Sequence, residues 1–233
     1  MMTWKHFWKK VRRRLMKLRL QPIRVFCFHQ VSDEFEPDTM WECDWMQTEV
    51  FKQKILELKK EYTFVPLTEA YHHLANDKIR FKKYATLTAD DGWASVKNVL
   101  PWLAEQGISI TLFLNPKYFD GMHYRERETE RFLTEADVKC ICSSYSVVSI
   151  GMHGWAHVDV SKQSVDEFKR NVDMSVNEMN DYEGFIPFFA FPWGRCNEMN
   201  INVLKSLNIV PVLMDGQRNN GNAKAVHREL LTV

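Results

Sequence analysis

The 233-residue chain has no run of about twenty apolar residues, so the sequence predicts no membrane-spanning helix. A secretory signal is also missing, because basic residues are spread through the first twenty positions and leave no continuous apolar segment. We therefore expect a cytoplasmic protein. An excess of charge of one sign is absent too, since the net charge is only +1. This balance argues against nucleic acid as a partner of the whole molecule.

Cysteine pairs of the Cys-x-x-Cys type are missing among the five cysteines. Cys140 and Cys142 are separated by one residue, a spacing poorly suited to joint zinc ligation. The odd total of five cysteines favours a reducing compartment with buried free thiols. Repeats, low-complexity tracts and Gly/Ser linkers are absent as well. We therefore expect one catalytic domain over residues 21–233.

Residues 1–20 have basic side chains interleaved with apolar ones and predict a separate amphipathic helix. Its apolar face would hold Trp4, Phe7, Trp8, Val11, Leu15 and Leu18. Such a helix packs on the domain, lies on an anionic membrane surface or forms a nucleic-acid-binding arm. Packing on the domain is favoured first and the membrane surface second, so peripheral membrane contact through residues 1–20 is one of two competing expectations.

Seven short apolar or β-branched segments predict β-strands, at 23–29, 63–67, 84–88, 109–114, 147–152, 188–191 and 209–214. Several are apolar throughout, as expected for strands that are covered on both faces. Helical patterns separate them, at 48–61, 68–75, 95–106, 134–142, 164–182 and 197–207. Thr48 is the predicted N-cap of the first helix. This alternation predicts an α/β fold with a parallel sheet or barrel.

Two adjacent carboxylates, Asp90 and Asp91, follow the third predicted strand and precede Gly92. Neighbouring like charges repel, so the pair is unfavourable there unless a cation or a proton relieves the repulsion. His153 ends the fifth strand, and its spacing from His157 brings both imidazoles to one face of a helix or tight turn. All of these groups lie on the C-terminal rim, where α/β barrels gather their catalytic residues.

Two imidazoles and one carboxylate form a type of metal site that leaves positions open for water and substrate. A divalent ion at such a site lowers the pKa of a water and polarises a carbonyl. The second carboxylate can then accept the proton of the water as a general base. An Asp-Asp-Gly segment alone is typical of a turn, and two histidines alone are typical of a protein surface. Together on one rim they predict a metal hydrolase.

Three segments resemble the motifs of one family. Thr88-Ala-Asp-Asp-Gly92 resembles the Thr-Phe-Asp-Asp-Gly motif of the polysaccharide deacetylases, the NodB-homology domain of carbohydrate esterase family 4. His153-Gly-Trp-Ala-His157 is similar to that family's His-Ser/Thr-x-x-His motif. Phe191-Pro-Trp-Gly194 resembles the Pro-Tyr-Gly of the third motif. The three segments occur in the family's order across roughly residues 22–215.

The resemblance implies a distorted (β/α) barrel of about seven parallel strands and a carbohydrate substrate. It implies hydrolysis of an N-acetyl group from an amino sugar with a divalent ion, commonly Zn²⁺, with Co²⁺, Ni²⁺ or Mn²⁺ as alternatives. Asp90 would be the general base, and Asp91, His153 and His157 the metal ligands. The backbone N–H of Trp193 would stabilise the oxyanion.

The chain departs from the family's motifs at two places. Ala190 stands where the third motif has an arginine that orients the base. The candidate replacements are Arg195, Arg24 and Arg228. The final Leu-x-His motif, which supplies the general acid, is not present in that form. The candidates for this role are His227, near the end of the chain, and His29, at the end of the first predicted strand.

Three functions stay open at this point. The first is the N-deacetylase, acting on a poly- or oligosaccharide or a glycan intermediate. The second is a metal-dependent deformylase or deacylase, acting on a lipid-linked sugar or another amide with the same site. The third is a non-catalytic carbohydrate-binding relic, a reading motivated by the missing arginine and the altered last motif.

Overall fold

The computed structural model describes residues 21–34, 45–76, 81–121, 131–219 and 224–232, together with His6. The amphipathic helix that the sequence predicts for residues 1–20 lies outside these ranges apart from His6, so it stays a prediction. Within the described ranges, every helix is too short or too polar to cross a membrane.

Ten strands lie in the described residues. They are β1 (Ile23–Phe28), β2 (Gln30–Val31), β3 (Trp45–Met46), β4 (Thr63–Phe64), β5 (Tyr84–Ala89), β6 (Ile110–Leu114), β7 (Val148–Met152), β8 (Phe185–Ala190), β9 (Val210–Met214) and β10 (Val226–Leu230). Seven of them form a closed parallel barrel in the order β1-β10-β9-β8-β7-β6-β5, and β5 pairs back to β1. The predicted (β/α) barrel of seven parallel strands is therefore confirmed.

The predicted strand at 63–67 is wrong as a member of the barrel. β4 has only two residues, and it pairs with Tyr84 and Ala85 at the beginning of β5, outside the closed ring. The seventh barrel strand is β10, which the sequence analysis missed. Arg228 in the middle of β10 is buried, and a charged residue facing the core breaks the apolar pattern that marks the other strands. The remaining six predicted strands are confirmed, with ends within three residues.

Helices connect the strands, and most of them cover the outside of the barrel. They are α1 (Thr48–Glu61), α2 (Leu67–Asn76), α3 (Leu100–Glu105), α4 (Glu135–Ser144), α5 (Val165–Met179) and α6 (Glu198–Ser206). The last three begin with capping boxes, in which the side chains of Thr134, Ser164 and Asn197 accept the N–H three residues later. The third predicted helix is instead a 3-10 turn at Ala94–Asn98 followed by α3. Pro101 suits this break, because a residue without an N–H fits the first turn of a helix.

The N-cap prediction for α1 needs a correction. Thr48 is the first helical residue, and Gln47 precedes it as an N-cap whose side chain makes no capping hydrogen bond. The cap comes from further away: Asp33 Oδ1 accepts the Thr48 N–H at 3.0 Å. A carboxylate at a helix N-terminus also interacts favourably with the helix dipole. The chain after β2 is thereby tied to α1.

Alternate residues of the barrel strands contribute to two apolar clusters, as the two-residue period of a strand dictates. One cluster contains Ile23, Val25, Phe113, Phe188, Val212 and Val226, together with Leu67, Ala70 and Leu74 of α2. The other contains Phe26, Leu87, Leu112, Ile150 and Phe189, packed against helices on the outside. The strands are therefore covered on both faces, and this leaves their C-terminal ends as the place for polar groups.

Asp137 connects α4 to its surroundings. Its Oδ2 accepts hydrogen bonds from the N–H and O–H of Thr134 at 2.9 and 2.8 Å and from Arg131 Nη1 at 3.0 Å. Its Oδ1 accepts from Lys97 Nζ at 2.9 Å. Burial alone raises the pKa of Asp137, but these donors outweigh burial and hold the pKa well below its ordinary value.

We expect Asp137→Asn to lower the free energy of unfolding at pH 7 by about 1–3 kcal/mol, because an amide cannot accept from all of these donors. A carboxyl whose pKa is lowered by folding stabilises the protein above its unfolded pKa of about 4. That stabilisation is lost as the pH falls through the folded value. Urea denaturation followed by circular dichroism should therefore show a smaller loss of stability on acidification for the variant than for the wild type.

The matched control is Glu167→Gln in the capping box of α5. Glu167 accepts from the N–H and O–H of Ser164, but its box is exposed. We expect a smaller change in stability and in its pH dependence. An equal effect of the two substitutions would contradict the role assigned to the ion pairs of Asp137.

Candidate active site

Five polar or aromatic residues follow the C-terminal ends of barrel strands. Asp90 and Asp91 follow β5, His153 follows β7, and His29 follows β1. Trp193 lies in a 3-10 turn, Pro192–Gly194, that comes after β8. Because all barrel strands are parallel, these ends meet at one rim.

Asp91, His153 and His157 form a compact donor group, as the sequence predicts. Asp91 Oδ1 lies 3.1 Å from His153 Nε2 and 3.2 Å from His157 Nε2. Two ligand atoms that are each about 2.1 Å from one ion lie about 3.0–3.4 Å apart in an octahedral or tetrahedral site. The spacing and chemistry of these donors therefore fit a divalent ion.

The orientation of His153 follows from a backbone group. Its Nδ1 lies 2.9 Å from the carbonyl oxygen of Ala190, and a carbonyl can only accept a hydrogen bond. Nδ1 therefore has the proton, and in the neutral ring Nε2 presents its lone pair towards Asp91. Burial alone raises the pKa of Asp91, but the two neighbouring imidazoles outweigh burial and keep this pKa far below its ordinary value.

The backbone is strained where these residues lie. In the described part of the chain, four non-glycine residues have a positive φ, and three of them are Asp91, His157 and Trp193, at 70°, 47° and 54°. Such conformations cost roughly 1–3 kcal/mol each and persist only where the surroundings hold them. The clustering of strain at this rim is typical of a functional site.

Trp93 is a supporting residue that the sequence analysis missed. Its indole Nε1 donates to Asp91 Oδ2 at 3.1 Å, so the second oxygen of Asp91 is held as well. The indole ring stacks on Phe132 with a centroid distance of 4.4 Å, and Phe132 stacks on Tyr118 at 4.7 Å. An indole N–H two residues after Asp91 is the sequence signal that could have revealed it.

Asp90 forms a two-point ion pair with Arg228 of β10. Arg228 Nη1 donates to Asp90 Oδ1 at 2.6 Å, and Nη2 donates to Oδ2 at 2.7 Å. The two residues are only 4 % and 1 % exposed. Arg228 Nη1 also donates to Thr88 Oγ1 at 3.1 Å, which anchors the guanidinium below the rim. Burial alone raises the pKa of Asp90, but the charge of Arg228 outweighs burial and the pKa is lowered.

This pair separates the three arginines that the sequence offered in place of the one missing at Ala190. Of the other two candidates, Arg24 pairs with Glu229. Arg195 pairs with Asp159 at 3.2 Å and is exposed. Arg228 is therefore the arginine that the structure brings to Asp90.

His29 lies beside the two carboxylates. A nitrogen of its ring is within 4.8 Å of an Asp90 oxygen and of Cys27 Sγ. Its charge also helps to lower the pKa of both Asp90 and Asp91. Together with Asp90, Gly92 and Trp93 it borders a small gap that leaves no room for a water molecule.

His227 is not part of this group, in contrast to the sequence prediction. It lies on β10 between Val226 and Arg228, which are both buried, so its side chain points to the opposite face of the strand. Its Nδ1 lies 2.8 Å from Asp215 Oδ2, and its backbone N–H donates to Asn219. We therefore retain His29 alone as the candidate general acid.

Trp193 lies at the mouth of the site. Its side chain is 58 % exposed, and its ring contacts the ring of His157 with a centroid distance of 4.5 Å. The guanidinium of Arg195 lies 5.8 Å from the Trp193 ring centroid. The role of the Trp193 N–H as an oxyanion donor stays a prediction.

The rim therefore contains a carboxylate with two imidazoles, a second carboxylate held by a buried guanidinium, and a third imidazole beside both. The first group can hold a divalent ion, the second can accept a proton, and the third can donate one. This arrangement suits the hydrolysis of an amide.

Three solved structures share the fold of this chain. IcaB from Ammonifex degensii is 19 % identical, with 92 % of this chain and 93 % of that chain covered and a TM-score of 0.71. The Streptococcus pyogenes deacetylase PplD is 21 % identical, with coverages of 91 % and 93 % and a TM-score of 0.73. A de-N-acetylase from Aggregatibacter actinomycetemcomitans is 15 % identical, with coverages of 90 % and 94 % and a TM-score of 0.69.

No curated protein sequence matches the chain significantly. The family model described as polysaccharide deacetylase, however, matches residues 77–212, which is more than half of the chain. This span contains Asp90, Asp91, both histidines of the donor group and Trp193. The chain belongs to the polysaccharide deacetylases, a family of hydrolases that act on N-acetyl amide bonds in carbohydrates.

Proposed function

We propose that this chain is a metal-dependent deacetylase that removes the N-acetyl group of an amino sugar in a poly- or oligosaccharide or a glycan intermediate. The observation that carries this proposal is the different environment of two adjacent carboxylates. Asp91 faces His153 and His157, whereas Asp90 faces Arg228. One carboxylate is thus available as a ligand and the other as a base.

Asp91, His153 and His157 would hold the divalent ion. Imidazole nitrogens and a carboxylate oxygen suit Zn²⁺, and also Co²⁺, Ni²⁺ or Mn²⁺. When bound, such an ion supplies Lewis-acid activation of water and of the amide carbonyl. The tautomer of His153, fixed by the Ala190 carbonyl, keeps its Nε2 ready to bind without a change of proton.

The other residues would move the protons. Asp90 takes a proton from the attacking water, whose oxygen forms the new bond to the acetyl carbon. The Trp193 N–H donates to the developing oxyanion. His29 gives a proton to the sugar nitrogen as the C–N bond breaks, so that acetate and a free amine leave. Arg228 keeps Asp90 ionised and oriented, although a lowered pKa also makes Asp90 a weaker base.

The solved structures support this proposal through their described activities. One neighbour is a de-N-acetylase, and PplD was solved in complex with acetate. Acetate is the acid product of the reaction proposed here. The non-catalytic alternative loses one of its two motivations, because Arg228 pairs with Asp90 although the arginine at position 190 is missing. A deformylase or deacylase would use the same site and differ only in substrate.

We expect acetate to be released from N-acetylated oligosaccharides when Zn²⁺ or Co²⁺ is added. Asp90→Asn should lower this rate by about 10²- to 10⁴-fold, because the amide cannot act as a base. The amount of metal bound per molecule of Asp90→Asn should equal that of the wild type. An enzymatic acetate assay, with metal content measured on the same samples, tests both statements.

The thermal stability of Asp90→Asn must be measured in parallel, since the variant leaves Arg228 buried without its partner. Unchanged turnover by folded Asp90→Asn would remove Asp90 as the base. No acetate from any oligosaccharide length or lipid-linked sugar, with metal bound, would overturn the deacetylase proposal. Release of formate or another acid from matched amides would favour the second function.

Metal binding should depend on the predicted ligands. We expect Asp91→Ala and His153→Ala to bind far less Zn²⁺ than the wild type after dialysis, as measured by mass spectrometry of the elements. His227→Ala is the control, because His227 pairs with Asp215 away from the donor group and should leave the metal content unchanged. Equal metal loss in all three variants, or in none, would contradict this assignment.

Arg228→Lys tests the orienting role of the guanidinium. A lysine keeps the positive charge but cannot donate to both oxygens of Asp90 in a planar fork. We expect kcat to fall by about 10²-fold, the cost of misplacing a catalytic group by roughly 1 Å, while KM and metal content stay near wild type. Arg24→Lys is the control, because Arg24 pairs with Glu229 instead. A wild-type kcat for Arg228→Lys would show that orientation is set elsewhere.

A further inference from the structure

Four successive backbone carbonyls lie between the two histidines of the donor group, and all four accept hydrogen bonds from one neighbouring segment. Asn115 Nδ2 donates to the carbonyls of His153 and Gly154 at 2.5 and 2.9 Å. The Lys117 N–H donates to the carbonyl of Trp155 at 3.1 Å. Tyr118 Oη donates to the carbonyl of Ala156 at 3.0 Å. We call residues Asn115–Tyr118 the carbonyl clamp.

The position of the clamp follows from the barrel. Asn115 comes directly after β6, which is the neighbour of β7, and the His153 N–H donates to the carbonyl of Leu114 at 2.9 Å. Asn115 is 2 % exposed, so its side-chain amide makes its hydrogen bonds to the protein and not to solvent. Both partners of its Nδ2 are carbonyl oxygens, which identifies that atom as the amide nitrogen.

The loop that the clamp holds has an irregular backbone. Gly154 has a φ of +76°, and a Cβ at this position would lie 3.2 Å from Asn171 Oδ1. His157 has a φ of 47°, which is unusual for a residue with a side chain. From the opposite side, Asn171 Oδ1 accepts the N–H of Trp155 at 2.9 Å. A loop without helix or sheet pairing of its own needs such external partners for its polar groups.

We propose that Asn115 and Tyr118 are positioning residues for the metal site, which set the separation of His153 and His157. The clamp determines how closely the two imidazoles approach one ion, and so it controls metal affinity and coordination geometry. Outer partners of metal ligands typically contribute 10- to 100-fold to affinity. The inference rests on the metal site of the proposed function, but it does not depend on the substrate.

Asn115→Asp and Tyr118→Phe test the clamp. Asn115→Asp keeps the shape of the side chain but replaces a double donor by an oxygen that faces two carbonyl oxygens. Tyr118→Phe removes a single O–H. Tyr182→Phe is the matched control, because the Tyr182 hydroxyl donates to Glu135 in α4, away from the rim.

The readouts are the dissociation constants for Zn²⁺ and Co²⁺, measured in competition with a chromophoric chelator, and the visible absorption spectrum of the Co²⁺-loaded protein. We expect affinity to fall by about 10- to 100-fold in Asn115→Asp and by up to about 10-fold in Tyr118→Phe. The Co²⁺ spectrum of Asn115→Asp should change in position or intensity. Tyr182→Phe should match the wild type in both readouts.

Thermal unfolding of the metal-free proteins separates positioning from general destabilisation. If Asn115→Asp fails to fold, Tyr118→Phe decides the question alone. Wild-type affinity and an unchanged spectrum in the folded variants would overturn the clamp. A wild type that binds metal but releases no acetate would overturn the proposed function and leave the clamp intact. A wild type that binds no metal would overturn both.

Discussion

The ion pair between Asp90 and Arg228 is the interaction on which the site depends. It joins the end of β5 to β10, which are separated by the single strand β1, and both partners are almost completely buried. Losing one partner of such a pair typically costs about 3–5 kcal/mol, because the other charge is left buried and unpaired. Because β1 pairs with both β5 and β10, the guanidinium reaches Asp90 only when β10 has joined the sheet beside β1. The pairing of β10 with β1 and the assembly of the candidate base are therefore coupled.

The same pair explains how two adjacent carboxylates can coexist at the end of a buried strand. A positive φ at Asp91 turns its side chain away from the direction of Asp90. Asp91 then meets two imidazoles and an indole N–H, and Asp90 meets a guanidinium. Each carboxylate has its own set of polar partners, so the two neighbouring charges do not have to share one cation. This separation allows the two carboxylates to have different roles.

The sequence predicted the fold well where strands are apolar and helices have capping residues. It also predicted the donor group, because the Asp-Asp-Gly and His-x-x-x-His segments follow strands that end at the same rim. It missed β10, and it left the partner of Asp90 open among Arg195, Arg24 and Arg228; both have one cause. Arg228 is a buried charged residue, so β10 does not show the apolar periodicity by which the other strands were predicted. Only the folded barrel, in which β1 separates β10 from β5, shows that this charge faces Asp90.

The geometry of the donor group depends on backbone atoms, which have no signature in the sequence. The carbonyl of Ala190 selects the tautomer of His153, and any residue at position 190 would present a carbonyl. The backbone carbonyls of residues 153–156 would likewise be present with any other residues at these positions. What distinguishes them is the set of donors that the fold places opposite, with Asn115 directly after β6 and Tyr118 one turn later. The side chains of a metal site can thus provide its ligand atoms, while residues after the neighbouring strand set the distance between those atoms. A comparison of motifs alone detects only the ligand atoms.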